Sequence, residues 1–93
     1  MKSRFLKSIE RWKYTSPESP MELAEAVISI WEDYGRTILR KVPGQKTMRL
    51  TLITGGWSEN EYIVAAIENS QFSFLFWKSS DRGGLHIYEF PIV

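Results

Sequence analysis

The chain has 93 residues, no cysteine, a formal net charge of +1, and 43% hydrophobic residues that include four Trp, four Tyr and five Phe. This length suits one domain around one core, and the apolar content is too high for a disordered chain, which cannot bury enough surface to offset its ordering entropy. The absence of cysteine excludes a disulfide scaffold and any thiolate metal site, and the near-zero net charge gives no global attraction to nucleic acid or anionic lipid.

The N-terminal Lys2 and Arg4 are not followed by the apolar run of a signal peptide. No uninterrupted apolar stretch approaches the roughly 20 residues needed to cross a bilayer. With no disulfides to staple so small a domain, a cytoplasmic location away from membranes is expected. Charge is unevenly spread along the chain. Residues 1–13 carry five Lys/Arg and one Glu, residues 18–33 carry four Glu and one Asp, and residues 36–49 carry five Lys/Arg and no acid.

In chain order, Phe5, Leu6, Ile9 and Trp12 recur at helical spacing, predicting a short amphipathic helix over 4–13 that needs docking to persist. Thr15, Ser16 and Pro17 break that pattern. Ser19, Pro20 and Glu22 form a helix start, with a capping Ser, a Pro at the first helical position and a Glu completing Ser-x-x-Glu. Leu23, Val27, Ile30 and Tyr34 supply the apolar stripe, and Gly35 is placed as the left-handed C-terminal residue. Strands are predicted over 36–42 and 46–54, joined by a type II turn with Pro43-Gly44 at its centre. That turn sets Leu39 opposite Met48 and Thr37 opposite Leu50. Leu39, Met48, Leu50 and Leu52 then face the core, and Arg36, Arg40 and Arg49, with Ile38, Ile53 and two threonines, face away.

Ser58 and Glu61 suggest a second capping box, and Tyr62, Ile63, Ala66 and Ile67 the stripe of a third helix over 58–69. A final hairpin is predicted from 71–79 and 85–92 about an Asp81-Arg82-Gly83-Gly84 turn. It places Phe72, Phe74 and Phe76 on one face of its first strand, with Leu75 and Trp77 on the other. A strand apolar on both faces is usually central or doubly covered. The expected fold is one α+β domain spanning 1–93, ordered α-α-β-β-α-β-β, with a four-stranded, mostly antiparallel sheet and helices packed on it.

Chemistry is sparse. His86 is the sole histidine and has no obvious orienting group, so a hydrolytic site built on His86 and Arg82 is a weak alternative. No metal site and no cofactor are expected. Gly55-Gly56 before a helix has neither a dinucleotide nor a P-loop spacing, and Glu59 and Glu61 in the following turn would repel a phosphate. Two surfaces remain. Arg36, Arg40 and Arg49 on one ribbon could grip phosphates, pair with the acidic second helix, or be solvated. The phenylalanines of the last hairpin could be core, stack on bases, or form a subunit interface.

The segment from Thr54-Gly55-Gly56-Trp57-Ser58-Glu59-Asn60-Glu61, together with Ser80-Asp81-Arg82-Gly83-Gly84, resembles small uncharacterised proteins encoded by phages and other mobile elements. The resemblance covers roughly the last forty residues. It implies an intracellular accessory role and supplies no catalytic or binding residue. The functional expectation is a non-enzymatic binding or regulatory module that recognises another macromolecule. The expected partner is a protein or a second copy in a homodimer, with nucleic-acid binding through the basic hairpin as the alternative.

Overall fold

The computed structural model describes residues 2–32, 35–56 and 58–92, with side chains from residue 4 onward. In order, the elements are α1 (Lys2–Arg11), α2 (Pro20–Ile30), β1 (Arg36–Lys41), β2 (Thr47–Ile53), α3 (Ser58–Glu68), α4 (Gln71–Phe76), β3 (Trp77–Asp81) and β4 (Leu85–Pro91). The four strands form one antiparallel sheet in the order β1-β2-β4-β3. This is the expected α+β class, with one helix more than the sequence pattern suggests.

α2 starts as its sequence dictates. The Ser19 side chain accepts from the Glu22 N–H, the Glu22 carboxylate accepts from the Ser19 N–H, and Pro20 occupies the first turn. Its end differs from expectation. The helix stops at Ile30, where Trp31 turns extended and donates its N–H to Ile28 O. Gly35 lies five residues further on and is not among the glycines with positive φ. Its small size serves close approach instead. A Cβ there would press on the Ile53 carbonyl and lie 2.6 Å from both Asn60 Nδ2 and Trp31 Nε1. Tyr34, assigned to the helical stripe, lies outside the described residues.

The Pro43-Gly44 turn forms, with Gly44 at φ 74° and the Gln45 N–H bonded to Val42 O. The strands do not pair directly from it, however. Gln45 and Lys46 extend the loop, pairing resumes at Val42–Thr47, and the register moves by two residues. Leu39 therefore faces Leu50 and Thr37 faces Leu52. An even shift leaves every side chain on its expected face, so Leu50 and Leu52 are fully buried and Leu39 and Met48 pack at the margin of the core.

α3 begins at Ser58 itself, so the expected cap is the first helical residue; residue 57 lies outside the described residues. The larger correction concerns residues 71–76, which form a short helix instead of the first strand of the last hairpin. Phe72 and Phe76, four residues apart, share its inner face, whereas Phe74 is 87% exposed. Phe72 sits at the centre of an aromatic cluster, 5.1 Å from Phe76, 5.6 Å from Trp12, 5.7 Å from Tyr88 and 5.8 Å from Phe90 between ring centroids. Such edge-to-face and tilted pairs add about 0.5–1.5 kcal/mol each beyond simple burial.

The core joins Ile9 and Trp12 of the first helical region, Leu23 and Val27 of α2, Ile63 and Ile67 of α3, and Phe72 of α4. These meet Leu50, Leu52, Tyr88 and Phe90 on one face of the sheet. Around the loop into β1, the fully buried Asn60 ties three segments together. Its Oδ1 accepts from the Glu32 N–H at 2.8 Å, and its Nδ2 donates to Thr54 O at 3.2 Å and Glu32 O at 3.4 Å. Trp31 Nε1 reaches Ile53 O at 3.2 Å beside it.

Candidate functional site: the uncovered sheet face

All the sheet residues of the buried core lie on a single face, so the opposite face carries no helix among the described residues. The register reads that face directly, because directly opposed residues of an antiparallel pair share a side. One row crosses the strands as Arg36, Ile53, Leu85 and Asp81. The next runs Ile38, Thr51, Ile87 and Ser79, and the third Arg40, Arg49 and Glu89. None of these side chains is fully buried, and Ile38, Thr51, Ile53, Leu85 and Ile87 are half-buried. The face therefore has an apolar centre, cations towards β1 and carboxylates towards β4 and β3.

Of the three arginines singled out from sequence, the structure brings Arg40 and Arg49 side by side and sets Arg36 four residues along the same edge. Like charges directly opposed destabilise a sheet, and Glu89 relieves this pair from the other side. Arg49 Nε and Nη2 both donate to Glu89 Oε2, at 2.8 and 2.7 Å. Arg36 and Arg40 form no ion pair among the described residues, so the acidic α2 does not neutralise them. The phenylalanine face does not exist as such. Phe72 is buried, Phe76 is partly buried, and Phe74 projects alone, near the exposed Leu75 and Trp77 in sequence.

His86 lies on the other, helix-bearing side, paired with Ser80. Its Nδ1 is 2.9 Å from Ser80 Oγ, which also accepts the indole N–H of Trp77 at 2.8 Å. The serine oxygen can give its one proton to Nδ1 or accept a second bond from it, so the direction of the Ser80–His86 bond depends on the imidazole tautomer. His86 and Arg82 do share a cleft of about 270 Å3, yet Glu61, Glu68 and Asp81 line it as well. No group of three or more His, Asp or Glu side chains among the described residues is arranged to hold a metal ion. Among the described residues, no helix is long and apolar enough to cross a membrane.

Comparison with protein-family models, with curated proteins and with solved structures finds no match. Function therefore has to be argued from the site alone.

Two features of the sheet, one on each face, are not evident from composition. Leu85 and Ile87 belong to the open face, a fact hidden while the last strand reads as apolar on both sides. The alternation Leu85, Ile87, Glu89, Pro91 against His86, Tyr88, Phe90, Ile92 carries the signal. Tyr88 also holds a buried hydroxyl without a hydrogen-bond partner. Burial pushes its ionisation up, and the Glu68 carboxylate adds to that. The neighbouring Ser73 side chain offsets part of it, although no bond of normal geometry reaches the hydroxyl.

Proposed function

We propose that this protein is a small non-enzymatic binding module that recognises another protein through the uncovered face of its sheet. The observation that carries this reading is the half-buried strip Ile38, Ile53, Leu85 and Ile87 across β1, β2 and β4, with no helix over it among the described residues and outside the core cluster. Contiguous apolar surface on a small protein marks an interaction site more often than it stays bare. Apolar side chains at the centre and Arg36 and Arg40 at one border suit a partner that offers hydrophobic groups next to carboxylates. Glu89 in the third row and Asp81 at the far border disfavour a phosphate backbone, and among the described residues the face holds no aromatic ring on which a base could stack. The nucleic-acid alternative is correspondingly less well supported.

The test is selection of a displayed peptide library against the wild-type protein, followed by measurement of each binder on the Ile87→Glu variant. Binders that lose affinity on that variant, while binding to a Glu59→Ala control on the helical side is kept, support the reading. Binders that all survive Ile87→Glu, or map to the helices, refute it. Light scattering on the same samples distinguishes a foreign partner from a second copy of the chain.

A further inference from the structure

The sheet order leaves β1 and β3 as edges, and the two differ. β3 pairs with β4 through a register irregularity between Trp77 and Ser79, all of its residues are exposed, and it follows α4 without a break. Bulged, short edges are poor templates for a further strand. β1 is regular, with six consecutive cross-strand pairs to β2.

The phase of its hydrogen bonding follows from one contact. Val42 N–H bonds to Thr47 O, which makes Val42–Thr47 a hydrogen-bonded pair. Such pairs alternate along an antiparallel ladder, so Arg40–Arg49, Ile38–Thr51 and Arg36–Ile53 face inward. The N–H and C=O groups of Thr37, Leu39 and Lys41 are consequently turned away from β2. None of them meets a side-chain partner among the described residues. Three donors and three acceptors are thus displayed at strand spacing along the free edge.

The charges along this edge say what can use it. Arg36 and Arg40 lie on the uncovered face and Lys41 on the other, with Lys46 in the adjoining loop and no acid from 36 to 49. A second copy paired edge to edge would bring two sets of these cations within a strand spacing of about 4.8 Å. Edge cations of this kind guard against self-pairing, and the same cations attract an acidic strand. We propose that the free edge of β1 takes up an extended acidic peptide segment of the partner protein as a fifth strand. This rests on the protein-recognition reading above and names the form of its partner. Backbone bonds to Thr37, Leu39 and Lys41 would supply affinity, and carboxylates near Arg36 and Arg40 would supply selectivity.

The probe is a fluorescein-labelled peptide of alternating Glu and Val, compared by anisotropy with a Lys-Val counterpart and with a Glu-Val peptide carrying a central proline. Thr37→Pro is the informative protein variant, because its N–H faces outward and proline there removes no internal hydrogen bond. The Glu-Val probe is expected to bind, with affinity at least about tenfold lower for Thr37→Pro, for Arg36→Glu with Arg40→Glu, and for the proline-containing peptide. In wild-type protein saturated with probe, amide exchange at Leu39 should slow by about tenfold or more. That last measurement decides even if Thr37→Pro fails to fold. No binding up to about 1 mM, undiminished binding of the proline-containing peptide, or unchanged exchange at Leu39 overturns the proposal. Library binders that need Ile87 yet keep their affinity for Thr37→Pro would overturn strand addition and leave the open-face reading standing.

Discussion

Replacing Asn60 by Ala should destabilise this domain more than any single substitution on its outer sheet face. The side chain is fully buried and makes three hydrogen bonds, to the Glu32 N–H, the Glu32 carbonyl and the Thr54 carbonyl. Glu32 O keeps its bond from the Gly35 N–H at 3.0 Å, so the loss falls mainly on the Glu32 N–H and on Thr54 O, which surrender their bonds to Asn60. A desolvated backbone group stripped of a partner costs about 1–3 kcal/mol, giving roughly 2–4 kcal/mol for the site. Domains of this size have a total stability of about 5–14 kcal/mol. Urea unfolding followed by tryptophan fluorescence, with Trp12 buried as reporter, should show the midpoint lower by roughly 2 M at a slope near 1–1.5 kcal/mol/M. Asn60→Asp keeps the acceptor, loses both donors and buries a charge, so it should be at least as damaging, with partial recovery at acid pH as the carboxyl regains a proton. A midpoint within about 0.5 M of wild type for Asn60→Ala would refute the reasoning and show that the loop is held by packing alone.

Tyr88→Phe removes a buried hydroxyl that has no partner, so stability at neutral pH should stay the same or rise by up to about 1 kcal/mol. Because the folded state holds this phenolic proton more tightly than the unfolded chain does, the contribution of Tyr88 is fully present below the ordinary tyrosine value of about 10. It is lost as pH rises through the folded value, and the difference between wild type and Tyr88→Phe in urea titrations at increasing alkaline pH should display that slope. Phe72→Ala should cost about 3–5 kcal/mol, while Phe74→Ala should change stability by less than about 0.5 kcal/mol; similar thermal shifts for the two would contradict the helical placement of residues 71–76. Arg49→Ala should cost no more than about 1 kcal/mol, with the deficit shrinking in salt, since the pair with Glu89 is open to solvent. A loss above about 2 kcal/mol in urea unfolding would show that the Arg49–Glu89 pair holds the sheet more strongly than an exposed pair should.

How legible these features were depended on whether their determinants are local. The start of α2 is written in consecutive residues, Ser19, Pro20 and Glu22, and the structure reproduces the reciprocal bonds that pattern implies. The turn at Pro43-Gly44 is equally local, but the register depends on where pairing resumes after it, and nothing in Gln45 or Lys46 announces two further loop residues. Residues 71–76 misled for a specific reason. Phe72 and Phe76 share a face under both a two-residue and a 3.6-residue period, so only Phe74 tells strand from helix, and its side chain gives no sign of its exposure. The usual helix-start signal is also missing, since Ser70 makes no side-chain cap and its hydroxyl turns back to Ile67 O. Gly35 invites reading as a helix terminus, whereas its role is to let Ile53, Asn60 and Trp31 come close, and those contacts are long-range. The arginine ribbon was legible as a face. The pairing of Arg49 with Glu89 was not, because β4 adds alongside β2 only in three dimensions.

The position of β4 inside the sheet has a consequence for how the chain matures on the ribosome. β2 acquires its interior neighbour from residues 85–91, about forty positions later in synthesis, so Leu50 and Leu52 are translated long before Tyr88 and Phe90 exist to meet them. Until then the nascent first hairpin exposes an adhesive flank, and pairing across so long a separation is intrinsically slow. Vectorial production thus leaves an interval in which a chaperone, or a neighbouring nascent chain, can compete for the place β4 will occupy.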